Sequence, residues 1–231
     1  ELVYKPSIEF QKSSHLNSKE EYSALWQKSI DDPEEFWGQQ AKSLLHWFQP
    51  WNTVLEKENK HHFSWFKGGK TNAAYNCLDR QIERGLGEKI ALFWEGESGE
   101  TKRFSYFELH TEVCRFANGL LRQGIKSGDV VTMYLPMIPE LPIALLACAR
   151  IGAVHNVVFA GFSASSLAER IKNSRSRLVI TADGGYRKGD IIPLKAVVDE
   201  SLQMCSEKIE SIVVKRTREE ISMQGGRDYW W

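Results

Sequence analysis

Between Lys89 and Lys215 the chain alternates short strand-like runs with longer helix-like runs, and this alternation limits the possible folds more than any other feature. The helix-like runs carry apolar residues at spacings of three and four, which is the period of an α-helix. Strands joined by crossovers of this length run parallel, and such crossovers are right-handed. The sequence therefore predicts an α/β fold with a mainly parallel sheet and helices on both faces. The strand-like runs are residues 89–95, 130–135, 154–159, 178–181 and 211–215.

Helix boundaries are marked by residues with known capping chemistry. Ser105 and Ser163 precede two of the helical runs, and a serine side chain at this position accepts a hydrogen bond from the first turn. Gly152 ends the helix that begins at Pro139, because glycine adopts the left-handed conformation that closes helices. Residues 142–149 of that helix are almost entirely apolar, so we expect burial on several sides within a larger body.

The first 88 residues have a different character, rich in Trp, His and Lys. Ser18 and Asp32 each precede a helical pattern, with Pro33 at the first helical position of the second. Aromatic residues follow on a stretch predicted as loop. We divide the chain into an N-terminal helical and loop extension (1–88), an α/β sub-domain (89–216) and the start of a continuation (217–231). The extension is expected to dock on the larger body by aromatic burial.

Composition excludes several classes of function. The 30 basic and 30 acidic residues cancel, so no overall field favours nucleic acid or a membrane surface. The longest near-apolar run, residues 133–149, is interrupted by prolines and is too short to span a bilayer. No signal peptide is visible at the start. The four cysteines are widely spaced, which indicates reduced core thiols and a cytoplasmic protein.

Most short catalytic motifs are absent from the sequence. Gly69-Lys70-Thr71 ends like a phosphate loop, but Ser64 stands where the pattern requires glycine. No G-x-G-x-x-G follows a strand, and no G-x-S-x-G is present. The adjacent pair His61-His62 has no further ligand at metal-site spacing. We therefore predict no metal site in this chain and no catalytic centre of these kinds.

Two loops that follow strands are better candidates for ligand binding. Residues 159–163 combine small residues with a following helix, and residues 183–190 carry three glycines beside Arg187. Both loops lie at the carboxyl ends of predicted parallel strands, where ligands of open α/β sheets bind. Residues 169–188 hold six bases and two acids, which favours a phosphate ligand. A solvated helix face followed by a surface turn would give the same pattern.

Several long stretches in a fixed order resemble the AMP-forming acetate–CoA ligases of the adenylate-forming superfamily. The stretches are residues 68–72, 75–80, 137–140, 146–153, 158–163, 182–187 and 228–231. The resemblance implies ATP, CoA and Mg²⁺ as cofactors and acetate as substrate, with acetyl-adenylate as intermediate. It also implies that the phosphate loop, the acetate pocket and the catalytic lysine lie beyond this chain. We thus expect an N-terminal portion that packs against the remainder of its own chain and is inactive alone.

The resemblance assigns part of the CoA site to the same two loops. It implies that Arg187, Lys188, Gly189 and Asp190 contact the 3′-phosphate of CoA. Phe159, Ala160 and Gly161 are implied to lie along its adenine. Asp190 departs from the family pattern, in which many members carry a second arginine, and an acid beside a phosphate is repulsive.

Other functions remain open at this stage. A propionyl-CoA or other short-chain acyl-CoA synthetase would share every stretch named above, because the acyl pocket lies elsewhere. A non-catalytic module that binds CoA or a nucleotide, or an inert structural segment, would also be consistent with a chain of this length.

Overall fold

The computed structural model describes residues 4–231, and the chain divides into two compact units, Glu1–Thr71 and Asn72–Trp231. The sequence placed the boundary at residue 88 instead. Residues 72–88 belong with the second unit because Leu78 is buried in its core, against the helix that starts at Tyr106. Two short π-helical segments, Tyr75–Asp79 and Ile82–Leu86, occupy this stretch.

Over the described residues 4–71, the first unit contains three helices and one hairpin. Ser18 and Asp32 cap the second and third helices as predicted, each accepting a backbone N–H at 3.0 Å. Part of the aromatic stretch predicted as loop, residues 63–66, instead lies in the second strand of the hairpin. The rings of Trp47, Trp51 and Phe66 pack together with centroids 4.9–5.4 Å apart. The elements are α1 (Ile8–Ser13), α2 (Lys19–Asp31), α3 (Pro33–Leu44), β1 (Thr53–Lys57) and β2 (Phe63–Lys67).

The second unit is an α/β structure, and its central sheet confirms the predicted fold class. The helices are α4 (Tyr106–Arg122), α5 (Glu140–Ile151), α6 (Ala164–Ser174) and α7 (Leu194–Gln203). The strands are β3 (Ile90–Glu95), β4 (Thr101–Ser105), β5 (Val130–Tyr134), β6 (Val154–Val157), β7 (Leu178–Ala182), β8 (Gly185–Arg187), β9 (Asp190–Ile192), β10 (Glu210–Val214) and β11 (Asp228–Trp230). Five strands form one parallel sheet in the order β11-β10-β7-β5-β6. Helix α4 packs against α5, and α6 packs against α7.

One strand was assigned to the wrong sheet by the sequence. Residues 89–95 were predicted to begin the parallel sheet, but β3 pairs antiparallel with β4 as a separate hairpin. The short connection between them, closed by the Gly96 N–H on the Glu100 carbonyl at 2.8 Å, permits only an antiparallel partner. The hairpin of β8 and β9 and the strand β11 were not predicted either.

The core of the second unit lies around the sheet and α5. Ala144, Ala147 and Cys148 of α5 are fully buried, whereas Leu145 and Leu146 are only partly buried. The helix is therefore fully buried along one face and not on several sides as predicted. The cysteines are free, but only Cys148 is a buried core thiol, and burial raises its pKa to about 12. Cys77 is exposed, so its prediction as a core residue was wrong. Within residues 4–231 no helix is both long and apolar enough to cross a membrane.

Candidate functional site

A cavity of about 310 Å³ lies where β5 and β6 end, between the two hairpins of the second unit. Leu135, Pro136 and Ala160 contribute from the segments that follow the parallel strands. Trp94 contributes from the β3–β4 hairpin and Arg187 from the β8–β9 hairpin. The carboxyl edge of a parallel sheet is the usual ligand position in open α/β folds.

The structure brings three of the seven predicted site residues together at this cavity. Phe159, Ala160 and Arg187 line it. Gly161 lies beside them, since a Cβ built on it would be 2.6 Å from the Phe159 ring and 3.5 Å from Nη1 of Arg187. Phe159 remains 65% exposed, so its ring is available to a flat ligand.

Lys188, Gly189 and Asp190 do not line the cavity but form the turn that follows Arg187. Arg187 and Asp190 are paired residues of the hairpin, so Lys188 and Gly189 are its two-residue loop. Their φ angles are 54° and 86°, and a two-residue hairpin loop of this kind requires the left-handed conformation that glycine tolerates. The Gly189 N–H donates to Oε1 of Glu97 at 2.7 Å.

The sequence reasoning missed Arg216 and Trp94, which line the cavity together with Tyr186. The guanidinium carbon of Arg216 lies 5.0 Å from the ring centroids of both Trp94 and Tyr186. Arg216 also donates to Glu100 in the β3–β4 turn, and Trp94 Nε1 donates to the Met137 carbonyl at 2.7 Å. A cation between two aromatic rings is a stable arrangement. No short-range sequence pattern indicates this arrangement, because Arg216 and Trp94 are far apart in sequence and only the fold brings them together.

Asp183 fixes the position of Arg216. This buried carboxylate, at the end of β7, accepts four backbone N–H groups at 2.7–2.9 Å, from Gly184, Arg216, Thr217 and Arg218. Burial raises the pKa of Asp183, but the four N–H donors outweigh it and hold the pKa below its usual value. The loop after β10 is therefore tied to the end of β7.

A second polar cluster joins two of the stretches that carried the family resemblance. Arg150 donates to both carboxylate oxygens of Asp79 at 2.7 and 2.8 Å, and His110 lies 3.2 Å from the same carboxylate. The hydrogen bonds from Arg150 hold the pKa of Asp79 below its usual value. None of the three lines the cavity, and in the described part of the chain no group of three or more ligating side chains is arranged for a metal.

Comparison with known families defines the class of protein. Residues 78–228 match the model of the AMP-binding enzymes, which is more than half of the chain. The chain belongs to the AMP-binding enzyme family. Residues 22–77 match a second model, the N-terminus of acetyl-coenzyme A synthetase.

Within this family, the chain is similar to individual acetyl-coenzyme A synthetases. The chain is 49% identical over 232 residues to an acetyl-coenzyme A synthetase of Deinococcus radiodurans and 47% identical over 228 residues to one of Chlorobaculum tepidum. These matches cover 99% of this chain but only 35% and 34% of the relatives. The solved acetoacetyl-CoA synthetase from Streptomyces lividans is 25% identical, with a TM-score of 0.82 over 96% of this chain and 34% of its own length. The chain thus spans about a third of the proteins it matches.

Proposed function

We propose that this chain is the N-terminal portion of an AMP-forming acetate–CoA ligase and supplies part of its CoA site. The parent enzyme converts acetate, ATP and CoA to acetyl-CoA, AMP and pyrophosphate through acetyl-adenylate. The observation that carries the proposal is the cavity that joins Arg187 to Phe159 and Ala160 at the carboxyl edge of the sheet. The similarity to acetyl-coenzyme A synthetases along almost the whole chain supports it.

The predicted site residues divide between the phosphate and the adenine of CoA. Arg187 offers a planar guanidinium with paired N–H donors, which suits the 3′-phosphate of CoA. Lys188 adds a second positive charge on the same turn, opposed by the adjacent Asp190. Phe159, Ala160 and Gly161 lie along the adenine, with Phe159 offering a ring face and the two small residues close backbone approach. A volume of about 310 Å³ holds one end of a long ligand rather than all of it.

The remaining chemistry belongs to the rest of the proposed parent. We expect the part of the parent beyond this chain to hold the triphosphate and the Mg²⁺ that accompanies ATP. The same part selects the acyl group, which leaves a propionyl-CoA or other short-chain acyl-CoA synthetase as the alternative. We place the parent in the cytoplasm and expect exposed apolar residues of this chain to pack against its remainder.

The test is a comparison of CoA with dephospho-CoA in the full-length protein. Arg187→Ala should raise the KM for CoA ten- to hundred-fold, the effect of losing about 1.5–3 kcal/mol of charge-assisted bonding. Formation of acetyl-adenylate should be unaffected, and dephospho-CoA should serve wild type and variant equally. Arg115→Ala, which removes an exposed arginine of α4, is the matched control. A variant that loses adenylation, or still prefers CoA as wild type does, would remove Arg187 from the site.

A further inference from the structure

The turn Lys188-Gly189, which is part of the proposed phosphate site, is occupied by a carboxylate of the same chain, that of Glu97. Its Oε1 accepts the Gly189 N–H at 2.7 Å. In a two-residue hairpin loop this N–H takes no part in the strand ladder, so it is the free donor that an incoming oxyanion would use. Glu97 lies on the β3–β4 turn and also lines the cavity.

The hairpin that carries Glu97 is held in place by other residues. Arg216 donates to Glu100 in the same turn, and Trp94 Nε1 donates to the Met137 carbonyl. Glu97 itself is exposed, and within residues 4–231 it has no lysine, arginine or histidine at ion-pair distance. Contacts that do not involve the Glu97 carboxylate therefore also hold the hairpin.

Acids balance the bases around this turn. Arg187 and Lys188 bring two positive charges, while Asp190 and Glu97 bring two negative ones within the same pair of turns. A carboxylate and a phosphate are both acceptors, and one N–H cannot serve both fully. Like charges placed side by side also repel.

We propose that Glu97 is a specificity-determining residue that occupies the acceptor position of the CoA 3′-phosphate and weakens its binding. The inference rests on the proposed function. Phosphate binding displaces the Glu97 carboxylate from the Gly189 N–H. Glu97 therefore lowers the preference of the site for phosphorylated over unphosphorylated ligands.

The experiment measures dissociation constants of CoA and dephospho-CoA by calorimetry on the full-length protein. Glu97→Ala should tighten CoA binding about three- to ten-fold, a size typical of one exposed charge, and leave dephospho-CoA unchanged. Glu97→Gln keeps an acceptor oxygen but removes the charge, so its dissociation constant for CoA should lie between those of the wild type and Glu97→Ala. Raising the salt concentration should reduce the gain. Glu200→Gln, an exposed acid on α7, is the charge-matched control and should change neither affinity.

The outcomes separate this inference from the proposed function. If Glu97→Ala weakens CoA binding, or changes the affinity for CoA and dephospho-CoA equally, Glu97 stabilises the structure of the turn. The inference is then overturned. The inference also fails if Glu97→Ala leaves CoA affinity unchanged while Arg187→Ala abolishes the preference for CoA, and the proposed site then survives. If neither Arg187→Ala nor Glu97→Ala alters that preference, the proposed site and the inference both fail.

Discussion

Asp183→Asn should release the loop that follows β10. Asparagine keeps one carbonyl oxygen for the donors that now share Oδ1, but it loses the charge. Its NH₂ group also faces the Arg218 N–H, which donates to Oδ2 in the native protein. Two donors would then oppose each other in a buried position.

The magnitude follows from the number and type of bonds. Hydrogen bonds to a charged group contribute roughly 1.5–3 kcal/mol each, and neutral ones about half as much. Weakening three bonds and losing the fourth should cost at least about 3 kcal/mol of local stability. This corresponds to roughly a hundred-fold increase in the open population of the loop.

Hydrogen exchange with mass spectrometry measures that opening directly. At pH 7 the amides of Arg216, Thr217 and Arg218 should exchange about a hundred times faster in the variant, while the amides of α4 serve as internal control. Because the pKa of Asp183 is lowered in the folded state, its contribution is present above the unfolded pKa, about 3.9, and is lost as pH falls through the folded pKa. Exchange within three-fold of wild type at pH 7 would refute the assignment of these bonds as stabilising.

Three further outcomes are expected. The 231-residue chain expressed alone should self-associate and bind a hydrophobic dye, because Phe93, Met137 and Phe159 are 65–81% exposed; a dye-silent monomer in ultracentrifugation would contradict this. The same chain should show no acetate-dependent exchange of labelled pyrophosphate into ATP, since its sequence contains no phosphate loop; measurable exchange would oppose the proposal. Asp79→Asn should make the free energy of unfolding fall less steeply as the pH is lowered below about 3.9, because the lowered pKa of Asp79 contributes stability that is lost on acidification. An unchanged pH dependence of the free energy of unfolding in that range would argue against this.

The parallel sheet was predictable because its strands and helices carry local signals. Apolar periods, Ser105 and Ser163 as caps, and Gly152 as helix end gave elements that agree with the structure. The hairpins were harder to predict from sequence. The composition of β3 is that of a strand in a central sheet, and only its antiparallel pairing with β4 shows that it lies outside that sheet. Pairing depends on chain reversals of two to five residues, whose composition alone does not separate them from longer loops.

The candidate site was predictable in part. Arg187 and Phe159 lie on loops that follow strands, so the rule for the carboxyl edge of a sheet placed them together. Arg216 follows a strand as well, but it carries no glycine or small-residue neighbours of the kind that marked the other two loops. Glu97 could not be found, because its contact with Gly189 joins two hairpins that are 92 residues apart in sequence.

The cavity is lined partly by the central sheet and partly by two separate hairpins, and this difference affects which of its residues can change during evolution. Its floor follows the ends of β5 and β6, where any shift would disturb the register of the central sheet. Its sides are the β3–β4 and β8–β9 hairpins, which pair only within themselves. Substitutions in the hairpin turns can therefore alter ligand preference over generations at little risk to folding. Closely related proteins should differ more in residues 96–99 and 188–190 than in the strand ends beneath them.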